Sequence, residues 1–271
     1  MRAPAVTTEV PESAVAVLRH DEHVMGTVAS FDVRPGGLPV SEARLAMRRA
    51  CVVLQRADAV FSLWKPHSPM SRLCRGEITP AEAPAEVGDV LARCAEARRL
   101  TKGWFDPWAM PGGLDPTGLV KGWAASRALD VLVAAGVAGA MVNAGGDIGT
   151  VGEPAPGEPW RIGITDPDDR RRLVCVVTSP GAVATSGTYE RGAHIVDPFT
   201  RRSRARWRSA TVVGAQLDLA DALATGLCAA GAQGTAFVED AGCGAVVVDD
   251  RGAVHAVGRV DVESLPLADV E

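Results

Sequence analysis

The sequence has 271 residues, enough for one large domain or two small ones, and a chain of this size buries about 70–75% of its unfolded surface without needing disulfides. Hydrophobic residues make up 47% and charged residues 23%, as in ordinary soluble proteins. The formal net charge of −5 argues against a general nucleic-acid-binding protein, which would need a basic face.

The cysteines and the N-terminal stretch bear on the compartment. Six cysteines are scattered without CxxC spacing, so no zinc knuckle or redox motif is visible, and such thiols fit a reducing compartment. No early apolar run is long enough for a signal peptide, and no cysteine precedes Cys51 that could carry a lipid anchor. No stretch approaches the ~20 apolar residues of a membrane span. We therefore expect a cytoplasmic protein without a transmembrane segment.

We expect the chain to begin with a flexible arm, residues 1–22, and to continue as one compact domain, residues 23–271. A strand is expected over 23–34, interrupted at Met25-Gly26-Thr27, where the glycine indicates close backbone approach. Loops are expected over 62–73 and 103–118. Apolar spacing predicts helices over 41–61, 85–100, 119–135 and 218–230. Further strands are predicted over 140–143, 160–165, 172–178, 211–214, 235–238, 245–248 and 253–257. Because the elements lack a regular βαβ alternation, the pattern favours an α+β fold.

The densest polar stretch is Ala184-Thr-Ser-Gly187, followed by His194-Ile-Val-Asp-Pro198. Glycine and proline at its ends predict a turn or loop. Two hydroxyls, an imidazole and a carboxylate so close together are typical of a reactive site. The alternative is a polar turn in which His194 only hydrogen-bonds to backbone.

Asp221 and Thr225 are four residues apart on a predicted helix, so they share one face, nearly opposite the leucine stripe. A carboxylate and a hydroxyl on successive turns can form half of a site for Mg²⁺, which prefers oxygen ligands. The alternative is a solvent-facing hydrogen bond between the two side chains.

Asp115-Pro-Thr-Gly118 runs into a helix that carries Lys121. Helix N-termini attract anions, and the lysine adds a full positive charge, so the segment could cradle phosphate although it is not a P-loop. The alternative is a capped helix with an exposed lysine. Gly145-Gly146 permits either close ligand approach or a simple tight turn.

Three tryptophans, Trp64, Trp104 and Trp108, lie in predicted loops near these motifs. A planar ring system could stack on one of them, although packing against the core is the commoner use of tryptophan. An arginine-rich run over 201–208 could hold phosphates, but a solvated loop is the simpler interpretation.

In this order the motifs resemble the ApbE family of FAD:protein FMN transferases, over most of the chain from Met25 to about Gly231. The landmarks are Met25-Gly-Thr27, residues 62–73, Phe105-Asp106-Pro107, residues 115–124, Ala144-Gly-Gly-Asp147, Ala184-Thr-Ser-Gly187, residues 194–200 and Asp221-Ala-Leu-Ala-Thr225. The resemblance implies a single-domain α+β fold related to the T-fold, with mixed sheets and packed helices. It also implies one or two Mg²⁺ ions and FAD as substrate. FAD would be cleaved, FMN attached through a phosphoester to a Thr or Ser of an acceptor flavoprotein, and AMP released.

The resemblance also implies roles for individual residues. Asp221, Thr225 and the backbone carbonyl of Gly118 would bind the metal. Independently of the resemblance, His194 is our candidate for accepting the proton of the acceptor hydroxyl, because an imidazole ordinarily titrates near neutral pH. Its spacing from Asp197 suggests that this carboxylate orients it. The FAD pocket would be lined by Met25, Trp64, Trp104, Phe105, Asp106, Asp115, Lys121 and the backbone near Val196.

The chain departs from the family pattern at three positions: Ala224 replaces a frequent acidic ligand, Ser126 a frequent aspartate, and Arg201 a frequent glycine. Two alternative functions keep part of the site. If water replaces the protein acceptor, the chain is an FAD pyrophosphatase. If the chain catalyses no reaction, it is a flavin-binding protein that stores or delivers FAD. Storage, however, would not require the Asp221/Thr225 pair.

Overall fold

The computed structural model describes residues 16–188 and 195–263. The α-helices in this part of the chain are α1 (Val40–Phe61), α2 (Pro69–Cys74), α3 (Ala85–Leu100), α4 (Thr117–Ala134), α5 (Leu217–Ala230) and α6 (Thr235–Asp240). The strands are β1 (Leu18–Val24), β2 (Thr27–Arg34), β3 (Gly139–Ala144), β4 (Asp147–Gly152), β5 (Arg161–Thr165), β6 (Leu173–Thr178), β7 (Ala182–Gly187), β8 (Val196–Asp197), β9 (Arg202–Ser203), β10 (Ser209–Gly214), β11 (Gly244–Val248), β12 (Val254–Val257) and β13 (Val262–Glu263).

A large antiparallel sheet organises the molecule, with strand order β1-β2-β3-β4-β7-β10-β11-β12. Helices α4 and α5 cover one of its faces and enclose the larger core. A smaller sheet, β13-β6-β5, packs on the other face, where Ile162 and Val177 meet Val183 and Val213 of the large sheet. Strands β8 and β9 form a separate two-stranded ribbon. Helices and antiparallel sheets in one unit confirm the predicted α+β class.

The first two strands form a hairpin rather than one interrupted strand. Its two-residue turn is Met25-Gly26, with φ of 54° and 69°, the left-handed conformation that suits tight hairpins. The expected arm over 1–22 is wrong for residues 18–22, because these belong to β1 and pair with β2 from Leu18 opposite Val33. Polar residues occupy both faces of β1, since His20 and Glu22 share the face of the buried Leu18 and Val24, and this hid the strand period in the sequence.

Helical periodicity predicted the four long helices correctly to within two residues at each end. Two short segments were predicted wrongly. Residues 69–73, expected in a loop, belong to α2, because the Ser68 hydroxyl caps the helix by accepting the Ser71 amide at 3.0 Å. Residues 235–238, expected as a strand, lie in α6; a four-residue apolar run does not distinguish a strand from one helical turn.

The prediction of a turn or loop at Ala184-Thr-Ser-Gly187 is also wrong. This segment lies in β7, near the centre of the large sheet. Its hydroxyls are satisfied inside the structure. Thr185 Oγ1 lies 2.9 Å from Thr211 Oγ1 on β10, and Ser186 Oγ lies 3.1 Å from Thr225 Oγ1 on α5. Both faces of the sheet are covered at β7, so residues pointing to either face are buried. Its sequence therefore lacks the alternation of apolar and polar residues that marks a half-exposed strand.

Helices α4 and α5 cross in close contact at Gly122. A Cβ at this position would lie 2.6 Å from the carbonyl oxygen of Leu217, closer than real contacts allow. The glycine therefore brings the two helices together at the level of Lys121 and Asp221. In the described part of the chain, none of the helices combines the length and apolarity needed to cross a membrane.

We expect Gly122→Ala to destabilise the protein by about 1–3 kcal/mol, because the added methyl group forces the helices apart. The matched control is Gly88→Ala in α3, where nothing lies within 4 Å of the new methyl group. That variant should be about 0.5–1 kcal/mol more stable than the parent, since alanine is the better helix former. Urea unfolding of both variants measures the difference. Equal effects at the two positions would contradict the assigned crossing.

Candidate active site

Lys121 of α4 lies between two buried carboxylates. Its Nζ forms an ion pair with Asp147 Oδ2, and Asp221 Oδ2 lies 3.8 Å away. Asp147 is fully buried and Asp221 is 2% exposed, so the solvent-facing alternative for Asp221 is excluded. Two aspartates and one lysine leave the cluster with one negative charge, which favours a further cation nearby.

Asp221 and the first turns of α4 converge on one backbone amide. Asp221 Oδ2 accepts the Gly122 amide at 3.1 Å. In α-helical geometry that amide points toward the carbonyl of Gly118, four residues earlier. The carboxylate of Asp221 and the carbonyl of Gly118 therefore approach the same N–H group.

Thr225 lies one turn after Asp221 on α5 and also faces α4, next to Gly118. A Cβ placed on Gly118 would lie 3.3 Å from Thr225 Oγ1 and 3.2 Å from the ring of Phe105. A larger residue at position 118 would fill the space beside the Thr225 hydroxyl. The structure thus brings together the three predicted metal ligands, Gly118, Asp221 and Thr225.

The donor set at this position fits Mg²⁺. Carboxylate, hydroxyl and carbonyl oxygens are the ligands that hard cations prefer. Within the described residues, the second oxygen of Asp147, Oδ1, is buried without a hydrogen-bond partner, so one more oxygen is available nearby. Burial, and next the negative charge of Asp221, raises the pKa of the Cys94 thiol to about 12. Cys94 therefore stays protonated at neutral pH in the metal-free protein.

Two cavities border Lys121 and share it together with Gly26. The sheet-side cavity, about 500 Å³, is lined by the β3–β4 turn at Gly145 and Gly146, by β5, and by Arg170. The helix-side cavity, about 510 Å³, is lined by Met25, residues 61–65 and the start of α4. Each has the size of a small-molecule site, and the lysine ammonium lies at their common border.

Aromatic and flexible side chains form the rim of the helix-side cavity. Met25 is half-buried there, and Trp64 is 95% exposed. Core packing is therefore excluded for Trp64, and its ring is free to stack on a planar ligand. The structure places both predicted pocket residues beside Lys121.

Asp115 and Val196 line a third cavity of about 350 Å³, which is bordered by residues 110–114 and shares Leu63 with the helix-side cavity. Asp115 Oδ1 accepts the Thr117 amide at 2.9 Å, so its carboxylate caps the start of α4. Of the capped-helix alternative, the structure shows the Asp115 hydrogen bond to the start of α4 but not the exposed lysine, because the Lys121 side chain is largely buried. Phosphate binding by this segment stays a prediction.

The remaining predicted pocket segment, residues 104–106, lines none of these three cavities. Phe105 is buried, and its ring packs against Gly118. Asp106 accepts hydrogen bonds from the Trp108 amide at 3.0 Å and from Arg98 at 2.7 Å. Their contribution to ligand binding stays a prediction, and their observed contacts are structural.

Trp104 belongs to a separate aromatic group. It packs edge-on against Phe199, with ring centroids 4.8 Å apart, and the guanidinium of Arg206 lies 4.8 Å from its ring centre. Arg206 also pairs with the buried Asp197 at 3.3 Å. The group joins the loop after α3 to the β8–β9 ribbon.

Asp197 is used by its own turn. Its Oδ1 accepts the amides of Phe199 at 3.0 Å and Thr200 at 3.1 Å. His194, the predicted base, lies outside the described residues, so the proposed orienting contact between Asp197 and His194 stays a prediction.

Asp147 had no role predicted from the sequence, although it belongs to the Ala144-Gly-Gly-Asp147 motif. One sequence signal could have indicated a role for it. Asp147 follows Gly145-Gly146 directly, and a glycine turn after a strand places the next side chain at the end of the sheet. Its partner Lys121 is 26 residues away in sequence, so the pair was not visible without the fold.

The sequence of this chain is similar to those of known proteins. The model of the ApbE family matches residues 25–113 and 110–247, most of the chain. The chain belongs to the ApbE family. It is 38% identical over 125 residues to an FAD:protein FMN transferase of Vibrio cholerae, covering 42% of this chain and 37% of the relative. It is 39% identical over 127 residues to one of Rhodobacter capsulatus, covering 44% and 24%. The aligned part therefore spans less than two fifths of these two curated relatives.

Solved structures of the family share the fold over nearly their whole length. The flavin transferase ApbE of Vibrio cholerae superposes with a TM-score of 0.75 at 24% identity, covering 89% of this chain and 97% of that one. The ApbE protein of Thermotoga maritima gives 0.74 at 22% identity, covering 89% and 97%. At this identity the likeness establishes the fold of this ApbE-family chain.

Proposed function

We propose that this chain is an FAD:protein FMN transferase that depends on Mg²⁺. It would cleave the diphosphate of FAD, attach FMN through a phosphoester to a Thr or Ser of an acceptor flavoprotein, and release AMP. Membership of the ApbE family and the activity named for the relatives support this proposal. The observation that carries it is the position of Lys121, at the border of two cavities and beside buried carboxylates.

The two cavities suit a ligand with two bulky ends and an anionic bridge. FAD has a flavin and an adenosine joined by a diphosphate. With one end in each cavity, the bridge would pass Lys121, which offers a partly buried positive charge. The N-terminal turn of α4 lines the helix-side cavity and adds positive potential there.

Trp64 would stack against the flavin from the rim of the helix-side cavity, with Met25 beside it. The exposed ring then has a ligand to cover, and its apolar surface is removed from water on binding. Arg170, at the sheet-side cavity, places a second cation near the other end of the ligand.

Asp221, Thr225 and the Gly118 carbonyl would hold the metal, with Asp147 close by. When bound, Mg²⁺ would neutralise charge on the diphosphate oxygens and on the departing phosphate. The protein fixes the donors in advance, because Gly122 and Ser186 set the position of Asp221 and Thr225. Lys121 would orient the phosphate oxygens and prevent the two carboxylates from repelling the substrate.

The transfer is balanced in atoms and charge. The acceptor hydroxyl oxygen forms a bond to the phosphorus on the FMN side, and the bond from this phosphorus to the bridging oxygen breaks. AMP leaves with the bridging oxygen. The hydroxyl proton passes to a base, for which His194 stays the sequence-based proposal, with Asp197 as its proposed orienting partner.

A reconstituted reaction tests the proposal. The purified chain is incubated with FAD, Mg²⁺ and an acceptor domain that carries an exposed Ser/Thr flavinylation motif, with the Ser/Thr→Ala acceptor as control. We expect the acceptor to gain the mass of FMN, AMP to appear in equal amount, and EDTA to stop both. Intact-mass analysis and nucleotide chromatography measure the two products.

Other outcomes would replace the proposal with one of its alternatives. AMP and free FMN with an unmodified acceptor would indicate an FAD pyrophosphatase. Tight FAD binding without any cleavage would indicate a storage or delivery protein.

A further inference from the structure

A second group of metal-ligating side chains lies where β1 packs on α1. His20 and Glu22 are two residues apart on β1, so their side chains share one face of the strand. Cys51 is buried on α1 and meets this face. Two secondary-structure elements thus contribute an imidazole, a carboxylate and a thiol to one place.

The three ligand atoms are already close together. His20 Nε2, a carboxylate oxygen of Glu22 and Cys51 Sγ all lie within 4.8 Å of one another. The His20 Nε2 to Glu22 Oε2 distance is 3.3 Å. Zinc bonds of about 2.0–2.3 Å place tetrahedral ligand atoms roughly 3.3–3.8 Å apart. Closing the group around an ion therefore needs side-chain movements of about 1 Å or less.

Neighbouring residues hold the group in place. Gln55, one turn after Cys51, donates to Glu22 Oε1 at 2.8 Å and leaves Oε2 directed at His20. The His20 ring is tilted against Phe31, with centroids 6.2 Å apart. Outer contacts of this kind commonly orient metal ligands.

We propose that His20, Glu22 and Cys51 form a binding site for a borderline-soft divalent cation, Zn²⁺, with water in the fourth position. The ion would join the edge strand β1 to helix α1, and the thiol would release its proton to solvent on binding. The donor set distinguishes this site from the oxygen-only group around Asp221. The site does not depend on the proposed transferase activity.

Cobalt substitution tests the proposal with the full metal-free chain. Co²⁺ bound through a thiolate gives a sulfur-to-metal charge-transfer absorption that oxygen ligands do not produce. We expect this absorption to saturate at one equivalent of Co²⁺, to be displaced by Zn²⁺, and to disappear in Cys51→Ala and in His20→Ala. Gln55→Ala should weaken binding by about 10–100-fold, because the Glu22 carboxylate loses its orienting partner.

Two variants serve as matched controls. His255→Ala removes an exposed histidine that pairs with Asp249 at 3.1 Å, and Cys74→Ala removes an exposed thiol. Both should bind Co²⁺ as the parent does. If the buried Cys51→Ala variant does not fold, the exposed His20→Ala and the partly exposed Glu22→Gln still decide the question. The proposal is overturned if the parent shows no charge-transfer absorption, or if that absorption survives His20→Ala and Glu22→Gln unchanged.

Discussion

Replacing Asp221 by asparagine should lower the rate of FMN transfer by about 10²–10⁴-fold, because metal-based charge stabilisation contributes several kcal/mol and each 1.36 kcal/mol changes a rate tenfold. The substitution keeps the size of the side chain and can still accept the Gly122 amide through its carbonyl oxygen. The chain should therefore remain folded. AMP release and labelling of the acceptor, each measured over a range of Mg²⁺ concentrations, check this result.

Asp218→Asn is the matched control for the loss of a buried carboxylate. Asp218 lies on the same helix, is 6% exposed, and pairs with Arg93 rather than with Lys121. We expect this variant to keep most of the transfer rate, with the same Mg²⁺ requirement as the parent. If both variants lose activity equally, or if Asp221→Asn keeps it, Asp221 does not bind the essential metal.

Replacing Lys121 by methionine should lower the free energy of unfolding by about 3–5 kcal/mol, the usual result of leaving a buried charge without its partner. Asp147 is fully buried, and in the described part of the chain Lys121 is its only side-chain partner for Oδ2, while Oδ1 has none. Asp221 would lose a neighbouring positive charge as well. Urea unfolding followed by fluorescence measures the change.

Two further variants make this prediction specific. Lys121→Met combined with Asp147→Asn should recover most of the lost stability, since the uncompensated charge is gone. Lys65→Met, which breaks an exposed ion pair with Asp58, should cost no more than about 1 kcal/mol. If the double variant is as unstable as the sum of the single ones, the ion pair does not account for the effect.

Periodicity in the sequence was sufficient for the long helices, because apolar residues recur at helical spacing along each of them. The strand β7 was missed for the opposite reason. Both of its faces are covered, and its two hydroxyls look polar in sequence although Thr211 and Thr225 satisfy them in the fold. A side chain that is satisfied by a distant partner cannot be recognised from local composition.

The same reasoning applies to the site. Asp221 and Thr225 were predictable as a pair, because helical spacing places them on one face. Asp147 was not, because its role depends on an ion pair between a strand and a helix. The aromatic segment at 104–106 was expected to line a pocket, yet Phe105 lies beneath Gly118 in the core. Motifs indicated which segments meet, but not which side chain of each segment faces the ligand.

The eight-stranded sheet ends, among the described residues, in β1 on one side and β12 on the other. An open strand edge can recruit another chain and start aggregation, and proteins commonly prevent this with charge or with short strands. Strand β1 carries five consecutive charged or titratable residues, from Arg19 to His23, and β12 is only four residues long. The charges that concealed β1 in the sequence therefore protect the sheet from edge-to-edge association.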